Sequence, residues 1–196
     1  LLLKNDAYRP VFVLAGLCYA GFMLYWLLHR QGDRPAAAER VRGAAVLRLL
    51  RNPRMLLHML IVMVYIGSET ALTYWIGSYF AGQGLGAYGA MALSAYWLSG
   101  ILGRLAASLF RSPGKLLAPC FAAAAAGSAL LPLLPGAALK VAAVVLVGLA
   151  YAPVYAGMAF LTVERFPAAS SAAVSMVVFS AGVGGMAFQP VISYFV

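Results

Sequence analysis

Met55-Leu56-Leu57-His58-Met59-Leu60-Ile61-Val62-Met63-Val64-Tyr65-Ile66-Gly67-Ser68-Glu69-Thr70-Ala71-Leu72-Thr73-Tyr74-Trp75-Ile76-Gly77-Ser78-Tyr79-Phe80 is the stretch that decides the fold. Its only charged residue is Glu69. A bilayer core about 30 Å thick is crossed by about 20 apolar residues at about 1.5 Å each. This run is long enough, and five others of 19 residues or more accompany it at 10–28, 86–110, 116–134, 139–163 and 170–196. Charges, Gly/Pro turns or both bound each of them. Lipid offers the backbone no hydrogen-bond partner, so spanning segments are helices or closed barrels. Barrel strands are about ten residues long and alternate. These runs are twice that and do not alternate, which predicts an all-α membrane protein of six transmembrane helices.

Composition agrees. Of 196 residues, 64% are apolar and 10% charged, against roughly 25% charged in a soluble domain. Mean hydropathy is +0.89. Disorder, fibrous repeats and a water-soluble globule are excluded. The net charge of +9 gathers in one loop, so it reads as a topology signal rather than a nucleic-acid surface. Arg30, Arg34, Arg40, Arg42, Arg48, Arg51 and Arg54 lie in 29–54, Arg111 and Lys115 in 111–115, and Arg165 in 164–169. The opposite side carries only Lys4, Arg9 and Lys140. The positive-inside rule makes 29–54 cytoplasmic in a multi-pass protein of the inner cell membrane. Within that loop, Val46-Leu47-Arg48-Leu49-Leu50-Arg51 is amphipathic and suits the membrane surface. The first residue is Leu, 1–3 reads as the tail of an earlier span, and 193–196 is still apolar, so the sequence reads as a piece of something longer.

Four motifs then appear in order. Gly67-Ser68-Glu69-Thr70-Ala71-Leu72-Thr73-Tyr74-Trp75 is followed by Trp97-Leu98-Ser99-Gly100-Ile101-Leu102-Gly103-Arg104-Leu105 and by Arg111-Ser112-Pro113-Gly114-Lys115. Leu149-Ala150-Tyr151-Ala152-Pro153 then opens a helix ending Leu161-Thr162-Val163-Glu164-Arg165-Phe166-Pro167, before Gly182-Val183-Gly184-Gly185 and Gln189-Pro190. This series resembles the major facilitator superfamily, and specifically helices 6–11 of its fucose-permease-like sugar transporter branch. The resemblance implies most of the C-terminal bundle of a twelve-helix fold plus the helix before it. Residues 1–28 would end the N-terminal bundle, 29–54 would be the basic cytoplasmic linker, and 55–196 would supply helices 7 to 11 with the last helix missing. One departure stands out: no acid lies between Glu69 and Glu164, where the family's loop after helix 8 usually carries one.

Glu69 is the sharpest chemical signal. A carboxylate at mid-span costs several kcal/mol unless it is paired, hydrated or protonated. Tyr65, Glu69 and Thr73 stand at i−4, i and i+4 and form one polar stripe, with Tyr74 and Trp75 a turn further on. An acid, hydroxyls and an aromatic plane suit a polyol. Trp75 and Tyr79 equally suit an interfacial aromatic belt. Ser68 and Thr70 can instead bond their i−4 carbonyls. Tyr151, Tyr155, Met158 and Thr162 share a helix face, which is either cavity lining or packing. Pro153 leaves the Leu149 carbonyl without its usual donor and predicts a kink. Arg104 and Glu164 are candidates for a bistable cytoplasmic gate. Tyr96 and Trp97 remain open between cavity and core.

The resulting expectation is a secondary active transporter working by alternating access. It would move a small polar solute, a sugar or polyol, with Glu69 as a candidate for proton coupling. Its partners would be that solute, protons, membrane lipid and the missing helices, with no nucleic acid and no cofactor. A multidrug or amphipathic-compound exporter of the same superfamily is the first alternative, and a non-transporting scaffold the second. Enzymatic chemistry has little to work with: there is no H-E-x-x-H, no G-x-S-x-G and no acid pair.

Overall fold

The computed structural model describes residues 9–28, 43–110 and 114–194. The chain divides into two compact units, Leu1–Arg40 and Val41–Val196. The described part of the first is one helix, α1 (Arg9–Leu28), whose described side chains are exposed along its length. Most of the basic loop, 29–42, and Arg111-Ser112-Pro113 lie outside the described residues.

The second unit holds α2 (Gly43–Leu50), α3 (Pro53–Gly82), α4 (Gly86–Ser108), α5 (Gly114–Leu130), α6 (Gly136–Tyr151), α7 (Val154–Arg165), a 3₁₀ turn (Pro167–Ala169) and α8 (Ser170–Ser193). No strand occurs among the described residues. The chain is an all-α membrane protein: α1, α3, α4, α5, the α6–α7 pair and α8 coincide with the six apolar runs. Among the described residues three stretches are long and apolar enough to cross a membrane, Pro53–Gly82, Gly136–Arg165 and Pro167–Ser193, with shorter apolar helices at Gly16–Tyr25 and Gly114–Leu130. At 23 residues α4 has the length, but Gly89, Ser99, Gly100, Gly103 and Arg104 dilute its apolar character. Those small residues are its buried face. The amphipathic stretch expected at 46–51 is α2, with Leu49 buried and Leu47 and Leu50 exposed.

Local chemistry sets the helix ends. Asn52 caps α3 by accepting from the Arg54 amide at 3.0 Å, and Pro53 occupies the first turn, where its missing N–H costs nothing. Gly84, at φ 71°, turns the chain from α3 into α4. Pro153 does what its position predicts. It cannot donate to the Leu149 carbonyl, so α6 ends at Tyr151 and α7 restarts at Val154.

Packing follows the small residues. α3 lies chiefly along α8, and α4 and α5 both lie along α6. A Cβ on Gly148 would come 2.7 Å from the Tyr96 carbonyl oxygen, and one on Gly103 would come 2.9 Å from the Leu149 carbonyl oxygen. The α4 and α6 backbones are therefore in contact at two levels, as small-residue faces permit in lipid. Gly184 meets the Met63 backbone and Gly127 meets Val147, whereas Gly182 faces open space. Met55, Val62, Phe80, Tyr96, Val144 and Val177 form the sealed centre of the unit.

Candidate functional site

Glu69 lies mid-way along α3 and is half-buried. Its Oε1 accepts a hydrogen bond from the Tyr96 hydroxyl of α4 at 2.9 Å. The carboxylate forms one wall of a cavity of about 450 Å³, lined also by Tyr65, Ile66, Arg104, Ala152, Tyr155 and Ala156. Four side chains capable of polar recognition thus converge from α3, α4 and α7: a carboxylate, a guanidinium and two phenols.

Tyr65 is the pivot. It is buried, its hydroxyl donates to the Tyr151 carbonyl at 3.3 Å, and its ring meets that of Tyr151 edge-to-face at 5.2 Å. It borders the Glu69 cavity on one side and a second cavity of about 900 Å³ on the other. The second cavity lies between α3, α5 and α8, and its walls include Val64, Ser68, Leu72, Trp75, Phe121 and Phe188. Successive helical residues point about 100° apart. Hence Ser68 faces the greasy cavity while Glu69 faces the polar one.

The other expected site residues divide. Tyr155 lines the Glu69 cavity and is 37% exposed. Tyr151 is buried, and it borders the larger cavity instead. Thr73 spends its hydroxyl proton within α3, whose Glu69 and Thr70 carbonyls lie at 2.9 and 3.1 Å. Ser68 and Thr70 likewise bond the Val64 and Ile66 carbonyls at 2.7 and 2.6 Å. Tyr74 is 67% exposed, stacks edge-on against Trp75 and lines neither cavity. Trp75 lines the larger cavity, and its indole N–H is buried without an acceptor.

Arg104 and Glu164 line different cavities. Arg104 faces Glu69, whereas Glu164 shares a third cavity of about 350 Å³ with His58, Leu161 and Arg165. Met158 and Thr162 are packing residues. The Thr162 hydroxyl donates to the Met158 carbonyl at 2.7 Å. It can then only accept from His58 Nδ1, 2.9 Å away, which ties α7 to α3. Gln189 donates to the Thr70 carbonyl at 3.0 Å and so joins α8 to α3.

Two features escaped sequence reasoning. Tyr96 is the direct partner of Glu69. Its signal was the Tyr96–Ser99–Gly103 spacing, which puts the phenol on the same buried face as the close-packing residues. The second is Lys140, buried at the start of α6, which donates to the Tyr79 hydroxyl at 2.8 Å and the Leu131 carbonyl at 3.2 Å. Tyr79 is thereby a structural residue rather than a stacking plane. Among the described residues no group of three or more His, Cys, Asp or Glu side chains comes together to hold a metal.

Residues 1–190 match the Major Facilitator Superfamily, and the chain belongs to it. No curated protein matches the chain. No solved structure matches it either. Members of the family carry small-molecule solutes through the membrane.

Proposed function

We propose that the chain is the larger part of the C-terminal half of a secondary active transporter. Residues 55–196 supply helices 7 to 11 of a twelve-helix fold, 29–54 the cytoplasmic linker, and 1–28 the preceding helix. The solute is a small polar molecule of the sugar or polyol class, bound near the bilayer midplane and exposed to each side in turn. The observation that carries this reading is the Glu69 cavity, where the carboxylate, the Tyr65 and Tyr155 side chains and Arg104 border a space of about 450 Å³. That volume falls within the range of small-ligand sites, about 300–1,000 Å³. Hydroxyl-rich solutes need both acceptors and donors, and a carboxylate beside phenols offers both. Glu69 also supports proton coupling, because it is the single acid of α3 and stands in a cavity rather than in a sealed core.

The same residues support a different reading of Arg104 and Glu164. A latch between them belongs to another conformation, since they line separate cavities in this one.

One observation favours the exporter alternative: the apolar cavity of about 900 Å³ beside Trp75 and Phe121. A cationic amphipath there would need a nearby anion, yet Glu69 does not line that wall. The sugar reading is therefore preferred.

Counterflow in proteoliposomes bearing the full-length protein separates the two. Exchange of labelled hexoses or polyols that is insensitive to lipophilic cations supports the sugar reading. Exchange of lipophilic cations without sugar exchange overturns it.

A further inference from the structure

Arg104 stands four residues before the end of α4. An arginine so placed can lay its stem along the helix and take its charge to the near interface. It does the opposite. Its Nη1 lies 3.9 Å from the Cβ position of Gly100, one turn back toward the α4 N-terminus. The guanidinium runs inward and borders the cavity that Glu69 also borders. Among the described residues it makes no hydrogen bond and no ion pair.

Arg104 stays exposed on the cavity wall, so its N–H donors are open to a solute that enters there. Glu69 borders the same cavity, and the two side chains form no ion pair there among the described residues. The fork of N–H donors is shaped for a planar carboxylate or a phosphate. Among the described residues no second Lys or Arg lines this cavity. A dianionic phosphate would be half-neutralised there, whereas a single carboxylate is matched.

We propose that the transported solute is a sugar acid, a polyhydroxylated molecule carrying one carboxylate. Arg104 takes the carboxylate, Glu69 and Tyr155 take the hydroxyls, and Tyr65, whose proton goes to the Tyr151 carbonyl, serves only as an acceptor. This rests on the reading of the Glu69 cavity as the sugar site. Arg104 then sets specificity within the sugar class, because a neutral hexose leaves its donors unpaired.

The test is competition for uptake in proteoliposomes of the full-length protein. Labelled glucuronate is competed by unlabelled glucuronate, its neutral amide, glucose and glycine. Charge-assisted bonds to one guanidinium predict that glucuronate competes roughly tenfold or more better than the amide. Arg104→Gln removes that preference, and Arg104→Lys restores part of it. The amide comparison uses unaltered protein, so it decides even if Arg104→Gln fails to fold. Equal competition by glucuronate and its amide overturns the inference while glucose uptake leaves the sugar reading standing. Preference for glycine overturns the inference as well. If neither sugar nor sugar acid is taken up, both fall together.

Discussion

Replacing Tyr96 with Phe removes one hydroxyl from the α3–α4 contact and leaves the ring in place. Tyr96 is 1% exposed, and its hydroxyl donates to Glu69 Oε1 at 2.9 Å. A hydrogen bond to an ionised group contributes about 1.5–3 kcal/mol in soluble proteins. Interhelical polar contacts in membranes average about 0.6 kcal/mol and reach about 1.7. Glu69 is half-buried and borders a cavity that water can enter, so losing the donor leaves it partly solvated. The membrane range governs, and the expected loss is about 1 kcal/mol. In a protein of this size that lowers Tm by about 2–4 °C. The assay is a double-mutant cycle of Tyr96→Phe and Glu69→Ala, read by thermal unfolding in detergent. The expected coupling energy is about 1 kcal/mol. Effects that add within about 0.3–0.5 kcal/mol would show that the two side chains do not interact.

Other outcomes follow from the packing. Gly148→Ala drives a Cβ to 2.7 Å from the Tyr96 carbonyl, a backbone atom that cannot rotate away. It should destabilise by about 1–3 kcal/mol or more, whereas Gly182→Ala, with nothing within 4 Å, should change Tm little. Thermal melts of the two variants side by side check this. At Lys140 the order of two variants is diagnostic. Tyr79→Phe takes away the ammonium's hydroxyl partner and leaves it only the Leu131 carbonyl. Lys140→Met removes the buried charge and leaves the Tyr79 hydroxyl its own bond to Leu131 at 3.2 Å. Removing one partner of a buried charge costs more than replacing the charge by an apolar chain. Tyr79→Phe should therefore have the lower Tm, and the reverse order would argue against the contact.

Much of the architecture was legible because lipid leaves few choices. The apolar runs became helices, and Pro153 broke the 139–163 run between Tyr151 and Val154. The side chains of Ser68 and Thr70 turned back onto their own helix, as short hydroxyl chains do when no other acceptor is near. What periodicity could not reveal was which helix faces which. The stripe Tyr65–Glu69–Thr73 is one line on α3, but Thr73 is spent on the backbone and Tyr65 on Tyr151. The partner that holds Glu69 comes from α4, fixed by the close crossing at Gly148 and Gly103. Arg104 was readable as an interface charge by its position. Only its direction along α4, back past Gly100, brings it to the Glu69 cavity. Likewise Trp75 and Tyr79 share an aromatic cluster in sequence, yet one borders an apolar cavity and the other anchors Lys140.

Glu69 is proposed as the working acid of the transport site. The direct measurement is sugar uptake driven by an imposed pH gradient, in proteoliposomes of the full-length protein and of Glu69→Gln. Glu69→Gln should lose accumulation against a gradient while it still exchanges solute across the membrane. Accumulation equal to that of the unaltered protein would contradict it, and would leave Glu69 as a carboxylate that holds α3 to α4 through Tyr96.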